Sequence, residues 1–266
     1  NPWDITRTPG GSSGGPAAAV AMGFTGFEIG TDIGGSIRLP SSHCGVYGHK
    51  PSFGVIPTYG YLDSVKYHRN VADVNVFGPI ARSINDLDLL VDLLAGPNPD
   101  DAPGWRLELP PPRATELADF RVAAWLDDSF CPVDASITAV LERAVGALEN
   151  AGARIDHDVR PALEPLTASV DGSNLIGAAT DISGEQEGMS HLMWDTMHRQ
   201  RGQLRQRWTE FFGNVDVLLC PVSPTPAFQH VHSPQGSNWA HAVLSEFDDM
   251  PYRHLLRWNT LIGSAY

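Results

Sequence analysis

The chain has 266 residues, of which 42% are hydrophobic and 18% charged, a composition that folds and has a core to bury. Its formal net charge is −13, with Lys50 and Lys66 as the only lysines, and such a surface repels phosphate backbones, so no nucleic-acid partner is expected. No apolar run approaches the roughly 18 residues a membrane-spanning helix needs, so no membrane partner is expected, and the scattered unpaired cysteines suit an expected cytoplasmic location.

In chain order, "PAAAVAMGF" (16–24) predicts a buried helix with proline in its first turn. "FEIGTD" predicts a short strand entering a loop, and "HCGVYGHKPSFGVIP" alternates glycine turns with short apolar pieces. "SINDLDLLVDLLAG" (83–96) predicts an amphipathic helix with Ser83 as N-cap, Leu87, Leu90, Leu93 and Leu94 as its apolar face, and Gly96 as C-cap. A proline-rich connection, "GPNPDDAPGWRLELPPP", comes next. Beyond it, "FRVAAWLDD", "ASITAVLERAVGALENAGA" and "RIDHDV" predict a strand, a helix and a strand, a β-α-β unit. A helix over 186–213 and a strand in "VDVLLCPVSPTPAF", stopped by prolines, complete the pattern. Strands alternating with helices predict an α/β layered fold with a mixed or parallel sheet.

Cys44, Cys131 and Cys220 are scattered, with no C-x-x-C pair, and predict free thiols rather than zinc or redox chemistry. His230 and His232 stand two apart in a Pro- and Ser-bearing stretch and predict surface loop histidines. No metal and no cofactor are expected.

The chemistry sits in two glycine clusters, "TPGGSSGGP" and "GTDIGGSIRLP", each holding a serine that a substrate's backbone-sized groups can approach closely. "GSSGG" fits the G-x-S-x-G nucleophile elbow, with Ser13 as nucleophile, but an elbow follows a strand and "NPWDITRTPG" offers none. No lysine follows at the spacing of a phosphate-binding loop, and ordered-looking apolar flanks argue against a linker. In the second cluster, the consecutive N–H groups of Ile33, Gly34, Gly35 and Ser36 can converge on one concavity and receive developing negative charge beside a serine.

Taken together, "GGSSGG" followed by "GTDIGGSIRLPSSHCGVYGHKPSFG", with Ser36 24 residues after Ser12, resembles the amidase signature family. "NPWD", "GPIARSINDLDLLVDLLAGP" and "DVLLCPVSPTPAF" extend the resemblance. It implies an α/β/α layered fold around a largely parallel sheet and an amidase that hydrolyses a carboxylic amide through an acyl-enzyme. In the implied Ser–cis-Ser–Lys triad, Ser36 is the nucleophile and Ser12, preceded by a cis peptide bond, is the bridging serine. The two hydroxyls are then expected within hydrogen-bonding reach. The N–H groups of Ile33, Gly34, Gly35 and Ser36 form the implied oxyanion hole, and Ser13, Asp32 and Arg38 support the loops.

The family's lysine base lies upstream of "GGSSGG", where this chain has no matching residue; Lys50 matches a different family lysine and Lys66 a variable loop. The chain therefore resembles an internal piece of a longer amidase-signature protein, inactive by itself for want of the base. The expected organisation is one partial domain over 1–266, with a catalytic serine core at 1–97, a connection at 98–118 and a β-α-β and helical second half at 119–266. The expected partner is a small-molecule amide, and a homodimer is allowed. Two alternatives stand beside the free-standing amidase: a non-catalytic scaffold module, or the A-type component of a glutamyl-tRNA amidotransferase. The acidic charge and the long segment "YGYLDSVKYHRNVADVNVFGPIARS" favour the free-standing enzyme.

Overall fold

The computed structural model describes residues 1–59, 75–129, 131–162 and 190–230. Lys66, residues 186–189 of the expected helix, His232 and the closing "WNTLIGSAY" lie outside the described residues. The fold is α/β, and the chain divides into two compact units, each with its own sheet and core. Among the described residues, the first comprises Asn1–Leu109 with 227–230 and the second Pro110–Pro226.

In the first unit, α1 (Gly14–Ala21) starts two residues before the expected proline and stops at Met22, where Gly23 takes φ +73°. Its fully buried Ala17 and Val20 pack with Ile37, Cys44 and Ile80. Arg82 closes its far end, donating from Nη1 to the carbonyls of Val20 and Thr25 at 2.6 and 2.8 Å. β1 (Phe27–Asp32) is the predicted strand. It pairs antiparallel with β3 (Val76–Ala81), in register from Phe27↔Ala81 to Asp32↔Val76, and β2 (Tyr47–Gly48) pairs with the other edge of β3. The second glycine cluster leads into α2 (Arg38–Cys44), which ends where Gly45 turns left-handed and Val46 N–H reaches back to the Ser41 carbonyl at 3.0 Å.

The predicted helix over 83–96 is α3 (Ile84–Leu94), with the Ser83 hydroxyl accepting the Asp86 N–H. Leu87 and Leu90 are buried and Leu94 packs beside them, whereas Leu93 is 71% exposed because its position lies well round the helix from theirs. The C-cap is Ala95, not Gly96: the Gly96 N–H is held by the Val55 carbonyl at 2.9 Å, which pulls the chain out extended.

The second unit begins with the predicted β-α-β. β4 (Arg121–Ala124), α4 (Ala135–Asn150) and β5 (Arg154–Asp156) are joined by α5 (His191–Phe212) and β6 (Val217–Leu219). The sheet is parallel in the order β5-β4-β6. Leu204, Trp208 and Phe211 of α5 pack against Ala123, Trp125, Cys131 and Val215. Asp216 binds Arg121 through both carboxylate oxygens, and these hydrogen bonds hold its carboxyl well below the usual range.

One position links this framework to the serines. A methyl group at Gly30, mid-β1, would lie 2.8 Å from Ser13 Oγ and 2.9 Å from Ile37 Cγ1. Gly30→Ala is expected to overpack this contact and lower unfolding stability by about 1–3 kcal/mol. Urea denaturation of the pair measures it, and an unchanged midpoint would show that α1 and α2 can retreat from β1.

Candidate active site

β1 ends on Asp32, whose side chain is fully buried. The chain then wraps around that carboxylate. Oδ1 accepts the Gly35 N–H at 2.8 Å, and Oδ2 accepts the N–H groups of Ile37 and Arg38 at 3.0 and 3.3 Å. The Arg38 guanidinium grips both oxygens, Nε to Oδ2 at 3.0 Å and Nη2 to Oδ1 at 2.8 Å. Burial pushes the carboxyl pKa up, but the hydrogen bonds and charge of Arg38, with the Ile37 and Gly35 amides, outweigh it and hold Asp32 below the ordinary value. Gly35 takes φ +122° within the wrap, a conformation that suits glycine. Ser36 lies half-buried immediately before Ile37, the N-cap of α2.

The first cluster is tied to this wrap through Ser13. Its N–H donates to the Ser36 carbonyl at 3.1 Å, and its hydroxyl accepts the Thr31 N–H at 3.3 Å and donates to the Thr31 carbonyl at 3.4 Å. Ser13 is buried and engaged, and no strand leads into it, so it lacks the exposed hydroxyl of a nucleophile elbow. Ser12 is exposed, and the Gly11–Ser12 peptide bond is cis.

The structure thus brings the two clusters together, but through backbone. Among the described residues no hydrogen bond joins the Ser12 and Ser36 hydroxyls, and the Ser13 N–H on the Ser36 carbonyl links the two loops. Of the four N–H groups expected as oxyanion donors, one has a partner within the loop. The Gly35 N–H is committed to Asp32, while those of Ile33, Gly34 and Ser36 have no hydrogen-bond partner among the described residues.

Two further titratable groups flank the wrap. Lys50 is half-buried and donates to the Pro51 carbonyl at 3.2 Å. Burial and the Arg38 charge lower its pKa to about 8, against the opposing pull of Asp32. His43 sits on α2 beside Gly10, with a pKa lowered by burial to about 4. It carries no signal in the sequence, where the stretch around it reads as glycine turns. Cys44 and Cys131 are buried free thiols, Cys220 is half-buried, and His230 is exposed. Among the described residues no group of three or more His, Cys, Asp or Glu side chains could hold a metal, and no helix is long and apolar enough to cross a membrane.

The family model described as amidase matches residues 1–182. Among curated relatives, the glutamyl-tRNA(Gln) amidotransferase A subunit of Moorella thermoacetica is 35% identical over 273 residues, covering 86% of this chain and 55% of its own length. That of Deinococcus radiodurans is 34% identical with the same coverage, 86% and 55%. The chain spans about half the length of the curated relatives it matches. Among solved structures, a bacterial aryl acylamidase of the amidase signature family superposes with TM-score 0.74 at 22% identity, covering 100% of this chain and 59% of that one. A 6-aminohexanoate cyclic dimer hydrolase gives 0.72 at 23%, covering 100% and 61%. At these identities the structures share the fold.

Replacing Asp32 by Asn keeps its shape but removes the buried carboxylate charge that the Arg38 guanidinium grips. Asp32→Asn is expected to cost about 3–5 kcal/mol of unfolding stability at neutral pH, read by urea denaturation. A carboxyl whose folded pKa is lowered contributes stability above its ordinary pKa and loses it as pH falls through the folded value. The wild-type chain should therefore lose stability in acid more steeply than Asp32→Asn below about pH 4. Parallel curves would mean that folding does not lower the Asp32 pKa.

Proposed function

Because this chain belongs to the amidase signature family, whose members hydrolyse amides, we propose that its protein is an amidase acting through an acyl-enzyme on Ser36. The observation that carries this is the wrap around Asp32, which holds the half-buried Ser36 beside the uncommitted N–H groups of Ile33, Gly34 and Ser36 itself. A serine hydroxyl is a weak nucleophile until a neighbouring base takes its proton. In this reading Ser36 Oγ bonds to the amide carbonyl carbon while its proton passes to Ser12 Oγ, and the Ser12 proton passes on to a base. The family resemblance makes that base a neutral lysine, for which residues 1–266 offer no counterpart.

The carbonyl oxygen, now an anion, is received by the three N–H groups, and each well-aimed donor is worth about 2.7–4 kcal/mol. The tetrahedral intermediate collapses as the C–N bond breaks, and the proton returns through Ser12 to the departing amine. Water then releases the acid by the same path in reverse. Ser13, Asp32 and Arg38 keep the two loops in place and touch no reacting atom. The substrate is a small-molecule amide and the reaction needs no cofactor.

A second reading has specific support: the two curated relatives named above are glutamyl-tRNA(Gln) amidotransferase A subunits. In such a role the same serines would release ammonia from an amide for a partner protein. The two readings separate by substrate. A free-standing amidase hydrolyses simple or aryl amides without a partner, whereas the amidotransferase reading requires glutamine turnover that rises with the partner present.

In the whole protein, Ser36→Ala should reduce turnover to what the donors and binding alone sustain. Ser12→Ala should cost about 10²–10⁴-fold, the usual range for general acid–base help. Ser13→Ala should act mainly on stability, through its lost bonds to Thr31. A fluorophosphonate is expected to label Ser36, and label on Ser13 would overturn the assignment. Residues 1–266 alone are expected to hydrolyse a chromogenic anilide hardly at all; robust turnover would return the base to a histidine of this chain.

A further inference from the structure

The loop that presents Ser12 is anchored on several sides. Thr8 Oγ1 accepts the Gly10 N–H at 3.0 Å, and the Thr8 N–H donates to the Phe228 carbonyl at 2.8 Å. Cys44 Sγ donates to the Pro9 carbonyl at 3.6 Å. Asn1 Nδ2 bridges the Thr8 and His43 carbonyls at 3.1 and 2.8 Å, tying the loop to the end of α2. These contacts fix residues 8 and 9 and the Gly10 amide. Against Gly10 itself, two residues before Ser12, lies the His43 ring.

The approach is tight. Gly10 has φ +81°, and a methyl group there would stand 3.1 Å from His43 Nδ1 and 3.1 Å from Pro40 N and Cα. Phe228 meets the imidazole edge-on, with centroids 6.1 Å apart at 89°. Both ring nitrogens are buried, and neither has a hydrogen-bond partner among the described residues. What the ring presents to Gly10 and Phe228 is its shape. Burial keeps it neutral at ordinary pH, as a pKa of about 4 requires.

We propose that His43 is a positioning residue for Ser12: its uncharged ring, wedged between Gly10 and Phe228, is the plate that sets the backbone from Gly10 to Ser12. The proposal rests on the reading of Ser12 as the proton relay. A relay hydroxyl works only within a narrow range of positions, and displacement by about 1 Å can cost on the order of 10²-fold in rate. Removing the plate frees Gly10, a glycine that already tolerates many conformations, to move with Ser12. The side chain touches no reacting atom, so its loss should appear in kcat rather than KM.

The test is a set of variants of the whole protein assayed for amide hydrolysis: His43→Ala, His43→Phe, Ser12→Ala and the double variant His43→Ala/Ser12→Ala. His43→Ala is expected to lower kcat by about 10–100-fold with KM within about twofold. His43→Phe, which restores a flat ring without nitrogens, should recover to within about threefold of wild type. In the Ser12→Ala background, His43→Ala should add less than about twofold, because residues acting through one another are non-additive. A merely structural role would multiply through both backgrounds.

Three results each overturn the proposal: His43→Ala with unchanged kcat, His43→Phe as slow as His43→Ala, or an undiminished His43→Ala effect without Ser12. If His43→Ala does not fold, His43→Val takes its place and must show the same loss and the same non-additivity. Fluorophosphonate labelling of the wild type keeps the two readings apart. Absence of label at Ser36 sinks the acyl-enzyme reading, whereas label at Ser36 with a full-rate His43→Ala sinks the role of His43 alone.

Discussion

Everything in the candidate site depends on one buried carboxylate. Asp32 takes three backbone N–H groups and the Arg38 guanidinium, and it stays charged because those donors outweigh the penalty of burial. A loop of glycines has no side chains of its own to fix its shape. Here the anion fixes it from inside, and the loop closes around it as a shell around a bound ion would. The consequence is a division of labour among neighbouring amides. Gly35, Ile37 and Arg38 point inward to Asp32, which leaves Ile33, Gly34 and Ser36 uncommitted. The anion that builds the loop thereby limits how many donors the loop can offer to a second anion.

The same carboxylate–guanidinium chemistry recurs in the second unit with a different outcome. Asp216 binds Arg121 and Arg113, but those arginines are 49% and 62% exposed, whereas Arg38 is 15% exposed. Exposed partners are replaceable by water, so the pair at Asp216 serves chiefly to tether β4 to the turn before β6. Asp32 and Arg38 are far less open to water. Breaking a buried pair leaves an uncompensated charge, which is why this pair can impose a loop conformation and the other cannot.

The elements legible in the sequence are those with a strong local signal. The Ser83 cap with leucines at helical spacing marks α3, and alternating strand and helix patterns mark β1, β4, α4 and β5. α2 escapes such a reading because "RLPSSHC" carries a proline and two serines and forms only because Asp32 and Ile37 dictate its start. β3 escapes it for a related reason. "VFGPIA" has Gly78 and Pro79 at its centre, residues that argue against a strand, yet it is the middle strand of its sheet. Its support is non-local: Pro79 offers its carbonyl to His49, and Gly78 leaves room for the His49 carbonyl that passes against it. The candidate residues Ser12, Ser13, Asp32, Ser36 and Arg38 are legible as a spaced pair of motifs. The commitment of the Gly35 amide and the place of His43 are not, because both arise from how the loops fold onto α2.

The end of β1 also explains how two loops far apart in sequence keep a common register. Thr31 exchanges both backbone groups with the Ser13 hydroxyl, and the next residue, Asp32, holds the loop that carries Ser36. Two consecutive strand residues therefore address both serine clusters. Because β1 is pinned to β3 over six residue pairs, a shift that moved one cluster relative to the strand would break contacts at the other. Ser13 N–H on the Ser36 carbonyl closes the circuit. The separation of the clusters thus rests on hydrogen bonds to two consecutive residues of one strand and on the Ser13–Ser36 bond that joins them.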